Sequence, residues 1–212
     1  MLVSQRTQLL NDIRGHLVEI GMIAAQGPRH ARELAGLFEA GAEQIPIVVS
    51  EALAPLVAQL RNLDEAIARC DRAIAKMAQK DETTRRLMSI PGFGPITASA
   101  MAANVQDASV FAGPREFAAF LGLTPKQNSS GGKQRLGRIS KMGNRYLRKL
   151  LVVGAHAVLF HRKPHTDPLR SWAKKLIEKK PFKLVAVALA NKMARIAFAI
   201  LRGKTVYREI PA

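Results

Sequence analysis

A regular spacing of apolar side chains between positions 53 and 77 constrains the fold of this chain more than any other feature. The spacing alternates steps of three and four residues without a break, so every member lies on one face of a helix. Such a pattern is typical of a coiled coil or a long antiparallel helix pair. Cys70 occupies one of these positions, and we expect its side chain to pack in the helix interface. The members are Leu53, Leu56, Leu60, Leu63, Ile67, Cys70, Ile74 and Met77.

A second apolar stripe precedes this one. Residues 4–26 are predicted to form a helix that ends at Gly27 and Pro28, and a short helix over about residues 29–40 follows. A long two-helix protrusion buries its apolar face only against another helix. We therefore interpret residues 1–82 as a helical arm, used for spacing or for self-association into a homo-oligomer.

The charge of the chain changes sharply after this arm. The formal net charge is +17; residues 1–86 hold 11 basic and 11 acidic side chains, whereas residues 87–212 hold 22 basic and 5 acidic ones. A domain with such an excess of positive charge usually binds a polyanion, most often nucleic acid, although a merely solvated basic surface has the same composition. The sequence therefore predicts two domains, an arm over 1–82 and a basic DNA-binding domain over 83–212.

The cellular setting is predicted from cysteine content and hydropathy. A single cysteine excludes an internal disulfide framework and fits a reducing cytoplasm. The longest apolar runs are too short to span a bilayer and are flanked by cations, so no membrane partner is expected. We predict a cytoplasmic protein.

Two short helical patterns are joined by a Pro-Gly-Phe-Gly turn at residues 91–94. This arrangement resembles the helix-hairpin-helix module, in which backbone N–H groups point at a DNA phosphate. Gly92 and Gly94 would allow close approach of the backbone, and Pro95 would begin a helix whose positive dipole end faces the same point. An ordinary tight turn between helices needs the same glycines, so both interpretations stay open.

Residues 121–148 are rich in Gly, Ser and Asn and are predicted to form a loop without regular structure. Ser129 and Ser130 lie there beside Gly131 and Gly132. Cations surround the serines, which offers a hydroxyl where phosphate is attracted, although a serine that only bonds its own turn is equally compatible with the pattern. The cations predicted to contact DNA are Lys126, Lys133, Arg135, Arg138, Lys141, Arg145, Arg148 and Lys149.

The remaining apolar patterns are helical, and we find no strand pattern. The predicted fold class is therefore all-α: a long, coiled-coil-like helical arm followed by a basic helical domain that contains the helix-hairpin-helix-like motif.

The order of motifs over about residues 87–160 resembles the C-terminal domain of the DEDD-type insertion-sequence transposases, relatives of the Piv DNA invertases. The matching segments are 90–95, 117–125, 129–133, 139–144 and 147–148. The start of the arm also resembles the helical linker of that family.

The resemblance implies an enzyme in two parts. A RuvC-like acidic domain would hold Mg²⁺, and a C-terminal domain would supply a serine that attacks DNA; some members are guided by an RNA. The serine before the glycine pair is Ser130, with Ser129 as its neighbour and alternative. We expect this chain to lack the acidic domain, to bind no cofactor or metal itself, and to be inactive alone.

A second hypothesis belongs to another class of function. The chain would be a non-catalytic module that binds DNA or guide RNA, a remnant of a truncated transposase, while the chemistry occurs in a separate chain.

Overall fold

The computed structural model describes residues 1–23, 33, 36, 45–133, 135–160 and 168–207. Helices dominate this part of the chain, which confirms the all-α class. The helix predicted over about residues 29–40 falls outside the described residues, apart from Glu33 and Gly36. The helices are α1 Leu2–Glu19, α2 Ile47–Lys80, α3 Glu82–Met88, α4 Pro95–Asn104, α5 Pro114–Phe120, α6 Arg145–Phe160, α7 Pro168–Ile177 and α8 Phe182–Gly203, and a 3₁₀ turn spans Ala108–Val110.

The prediction that residues 121–148 lack regular structure is wrong. They contain two antiparallel strands, β1 Pro125–Gln127 and β2 Leu136–Ile139. Pro125 pairs with Ile139 and Gln127 pairs with Leu136, so β2 carries one extra residue between the pairs, as in a β-bulge. Strands this short contain too few alternating side chains for the sequence to show a period of two.

Residue contacts divide the chain into two compact units, Met1–Ala73 and Ile74–Ala212. The functional boundary that we expect at residues 82–83 stays a prediction.

The first unit is held together by an apolar cluster between α1 and α2. Ile13 and Leu17 of α1 are almost fully buried in it, and Arg6 Nη1 lies 3.0 Å from Asp64 Oδ1. The remaining members are Leu9, Leu10, Leu53, Val57 and Leu60. The prediction that Cys70 packs is wrong, because its side chain is exposed. The predicted self-association of the arm stays a prediction.

The second unit is built around α8. Leu189, Met193 and Ala197 of this helix are fully buried, and α3, α5, α6 and α7 pack against it. Among the described residues α8 is long and apolar enough to cross a membrane, but about half of its apolar window is buried inside the fold. Because core helices of water-soluble proteins can have the same length and composition, these properties do not identify a membrane span.

In the second unit, a side chain caps the N-terminus of helix α3. Asp81 is the N-cap of α3, and its Oδ2 accepts hydrogen bonds from the hydroxyl of Thr84 and, at 2.7 Å, from the Thr84 backbone N–H. These bonds to the Thr84 hydroxyl and then to its backbone lower the pKa of the Asp81 carboxyl, since they favour its ionised form.

Candidate functional site

The two strands extend into a hairpin that displays both serines at its tip. Beyond β1, the Asn128 N–H donates to the Arg135 carbonyl at 2.9 Å, and the Lys133 N–H donates to the Ser130 carbonyl at 3.1 Å. Gly131 and Gly132 have φ values of 55° and 77°. Two consecutive left-handed residues define a type I′ turn, which glycine adopts at the least cost. The pair of glycines is therefore required by the turn itself.

The two serines differ in their hydrogen bonding. Ser129 Oγ accepts a hydrogen bond from the backbone N–H of Arg135 at 3.2 Å, so this hydroxyl links the two sides of the hairpin. Ser130 Oγ makes no hydrogen bond to any residue within the described part of the chain, and Ser130 is exposed. Of the two, Ser130 is thus the hydroxyl that is open to an incoming group.

The base of the hairpin is packed too closely for side chains larger than glycine. A Cβ at Gly122 would lie 2.0 Å from the Met142 carbonyl oxygen, and one at Gly143 would lie 1.9 Å from the Phe120 carbonyl oxygen. Both residues also have positive φ. Because Leu121 and Leu123 are buried in the core, the base is fixed to the body of the unit while the tip extends from it.

Side-chain hydrogen bonds hold the same region. Arg148 Nη1 donates to the Leu121 carbonyl at 2.9 Å and, more weakly, to the Met142 carbonyl at 3.4 Å. Asn191 Nδ2 donates to the Leu123 carbonyl at 3.0 Å. Arg148 was predicted as a DNA contact, but this half-buried guanidinium supports the hairpin base. Asn191 was missed by sequence analysis, because nothing in a helical pattern marks an amide that reaches a distant carbonyl.

Asn144 caps helix α6 directly after the hairpin. Its Oδ1 accepts the Leu147 N–H at 3.0 Å, and its Nδ2 donates to Asn104 Oδ1 at 3.1 Å. An Asn before an apolar helical pattern is a recognisable cap signal, so this residue could have been found from sequence.

The predicted cations separate into groups. Lys126, Lys133 and Arg135 are exposed on the hairpin. Arg145 and Lys149 are exposed one helical turn apart on α6. Arg138 and Lys141 line a groove beside α8.

Residues 89–94, predicted as the turn of a helix-hairpin-helix motif, connect α3 to α4. Their contact with DNA stays a prediction. A Cβ at Gly92 would lie 2.7 Å from the Gly154 carbonyl oxygen of α6, and φ of Gly92 is 86°. The close contact that requires glycine at position 92 is therefore with α6, inside the fold. Gly94 has open space around it and precedes the uncapped N-terminus of α4, so it is the glycine of the pair that is accessible to a phosphate.

Comparison with known proteins finds similarity to transposases. Over 98% of its length the chain is similar to proteins named as transposases. It is 44% identical to a "Probable family 20 transposase" of Pseudomonas aeruginosa, 41% to the "Transposase for insertion sequence element IS1111A" of Coxiella burnetii, and 34% to the "Transposase for insertion sequence element IS1328" of Yersinia enterocolitica. The chain is thus similar over almost its whole length to proteins named as transposases.

A family model also matches part of the chain. Residues 84–169 match the model described as the transposase family IS116/IS110/IS902. The matched segment contains the Gly92 turn, the hairpin and α6. The chain spans 62%, 57% and 62% of the three relatives named above.

Proposed function

We propose that this chain supplies the DNA-binding and serine-bearing part of a transposase of the DEDD type, related to the Piv invertases. The observation that carries the proposal is the exposed Ser130 hydroxyl at the tip of a hairpin whose base is fixed. Its neighbours at the tip, Lys133 and Arg135, are cations that attract phosphate. Because the chain is similar to proteins named as transposases, the proposed substrate is a DNA phosphodiester.

The proposed reaction is a transesterification. The bond between Ser130 Oγ and phosphorus forms, the bond between phosphorus and one deoxyribose oxygen breaks, and the proton lost by the serine is balanced by protonation of the departing oxygen. Attack by a strand end on this phosphoserine would reverse the step and free the serine. A serine hydroxyl is a weak nucleophile at neutral pH, so stabilisation of the additional negative charge by cations has to contribute.

The resemblance implies that an acidic domain holds Mg²⁺. The described residues of this chain do not supply a set of ligands that fits this ion. Within the described residues, no group of three or more His, Cys, Asp or Glu side chains could hold a metal. We therefore assign no metal-ligating role to them.

DNA contacts are proposed on two surfaces. The first consists of the hairpin cations Lys126, Lys133 and Arg135, and the second of Arg145 and Lys149 on α6. Gly94 and the N-terminus of α4 are proposed to add a backbone contact to phosphate that positions DNA without reading its sequence.

The test of the serine chemistry is a matched pair of variants. The chain is incubated with element-end DNA, Mg²⁺ and a separately supplied acidic domain, and covalent protein–DNA adducts are trapped and mapped. Ser130→Ala should abolish the adduct while DNA affinity changes little, because an exposed hydroxyl is removed. Ser129→Ala should retain the adduct. Strand exchange by Ser130→Ala would show that the nucleophile is elsewhere.

A second candidate is a binding module that holds DNA or guide RNA while another chain performs the chemistry. Within the described residues, Ser130 Oγ has no hydrogen-bonded base that would activate it as a nucleophile, and this favours the binding module. This candidate predicts nucleic-acid binding that Ser130→Ala leaves unchanged, with no adduct under any of the conditions above. Labelled guide RNA and labelled element-end DNA, measured in parallel, distinguish the preferred nucleic acid.

A further inference from the structure

A groove of about 1350 Å³ runs along the outer face of α8. Its lining is largely apolar, and the α8 part of that lining is a stripe over residues 184–199. In this stripe the aliphatic residues Leu184, Val187, Ala188, Ile196 and Ala199 lie on either side of the polar residues Asn191, Lys192 and Arg195. At about 1.5 Å per residue the stripe from 184 to 199 is about 22 Å long, the length of four helical turns. Leu184 is 54% exposed although it lies beside other apolar side chains. The second unit thus leaves aliphatic side chains exposed or half-buried at both ends of this stripe.

Both sides of the groove carry positive charge. Arg138 and Lys141 belong to the hairpin side, and Lys183, Lys192 and Arg195 belong to α8. No carboxylate lines the groove among the residues that the structure describes. An occupant has to combine an apolar surface with negative charge at its edges.

The lining favours a protein over a nucleic acid. Single strands gain affinity mainly by stacking bases on aromatic rings. Here Trp172 is the one aromatic side chain among the described lining residues, and Lys192 Nζ already lies 4.4 Å from its ring centre. Aliphatic side chains spaced along a helix are instead typical of grooves that accept an amphipathic helix.

We propose that this groove is a docking site for an amphipathic α-helix of another chain, with aliphatic residues on one face and carboxylates along both edges. The aliphatic face would contact Leu184, Val187 and Ile196, and the carboxylates would pair with Arg138, Lys141 and Arg195. The groove does not include Ser130. The docking proposal can therefore be wrong while the proposed serine chemistry is correct, and the reverse.

The first test measures affinity. The probe is a fluorescent 16-residue helical peptide with Leu on one face and Glu on both edges, and the control is a scrambled peptide of equal composition and charge. The full chain should bind the probe with a Kd at least about tenfold lower than that of the scrambled peptide. Leu184→Asp and Arg195→Glu should each weaken binding at least about fivefold, because they remove an apolar anchor and reverse an edge charge. Lys174→Glu, a charge reversal on α7 outside the groove, should leave the Kd within about twofold.

The second test locates the occupant. In a Cys70→Ser background, Ala199→Cys places a thiol in the groove at an exposed position. The helical peptide should slow modification of this thiol, and neither the scrambled peptide nor oligodeoxythymidine should do so. Equal effects of both peptides, or no effect of the helical peptide, would overturn the proposal. Protection by oligodeoxythymidine alone would overturn it in favour of a nucleic-acid groove.

Discussion

Gly92 and Gly94 lie two positions apart in the turn between α3 and α4, but their surroundings are opposite. Gly92→Ala would place a Cβ 2.7 Å from a backbone oxygen at a positive φ, whereas Gly94→Ala would meet open space. We expect Gly92→Ala to lower the free energy of unfolding by about 2–4 kcal/mol. Gly94→Ala should change it by less than about 1 kcal/mol. Urea denaturation of the two variants measures both values, and equal destabilisation would contradict the packing of Gly92 against Gly154.

Asp81 gives a pH dependence at the residue scale. Its pKa is lowered in the folded chain, so its stabilising contribution is fully present above the unfolded value of about 3.9 and is lost as the pH falls through the lower folded value. Asp81→Ala should cost about 1 kcal/mol at neutral pH through the lost cap. The difference in stability between wild type and Asp81→Ala should shrink on acidification below about pH 3.9. A difference that stays constant down to pH 2 would contradict the charged cap.

At the scale of elements, the hairpin depends on the residues that support its base. Asn191→Leu would leave the Leu123 carbonyl without its donor, and Arg148→Met would do the same to the Leu121 carbonyl. Loss of a partner from a buried polar group costs about 1–3 kcal/mol. We expect faster hydrogen exchange at the Ser140 and Lys141 amides, which pair across the hairpin base.

Lys149→Met is the matched control, since Lys149 is exposed on the same helix as Arg148. Its hairpin amides should exchange at the wild-type rate. Unchanged exchange in Arg148→Met and Asn191→Leu would show that the base is held by its glycine contacts alone.

The elements also show what the sequence could and could not predict. Long helices were predictable because apolar periodicity is a local signal, as in the stripe that includes Leu53 and Leu60. The strands were not, since each is only three or four residues long. The exposure of Cys70 was missed because a continuous periodic stripe does not reveal where its partner helix ends.

The residues of the hairpin tip were easier to predict from the sequence than the contacts that position them. The serines and glycines of the hairpin tip stand next to each other in sequence, so their association required no tertiary information. The role of Arg148 depends on carbonyl groups brought to it by the fold, and the internal role of Gly92 depends on Gly154. Such contacts between distant positions carry no local signature.

At the scale of the whole molecule, the proposed binding of nucleic acid rests on the separation of charge. All of the net charge of +17 resides in residues 87–212. We expect binding of duplex DNA to weaken steeply with salt, and Arg145→Gln or Lys149→Gln to reduce the slope of log K against log salt by about one unit each. Lys76→Gln, an exposed change in the neutral part of the chain, should leave the slope unchanged. If all three substitutions changed the slope equally, a defined DNA surface on α6 would be contradicted.

Mapping the covalent adduct tests the proposed attack of Ser130 on DNA. The chain, element-end DNA, Mg²⁺ and a supplied acidic domain are combined, the reaction is quenched with denaturant, and the nucleotide-bearing peptide is identified by mass spectrometry. We expect a nucleotide on Ser130 that is absent from Ser130→Ala and present in Ser129→Ala. A nucleotide on any other residue, or strand exchange without an adduct on Ser130, would contradict it.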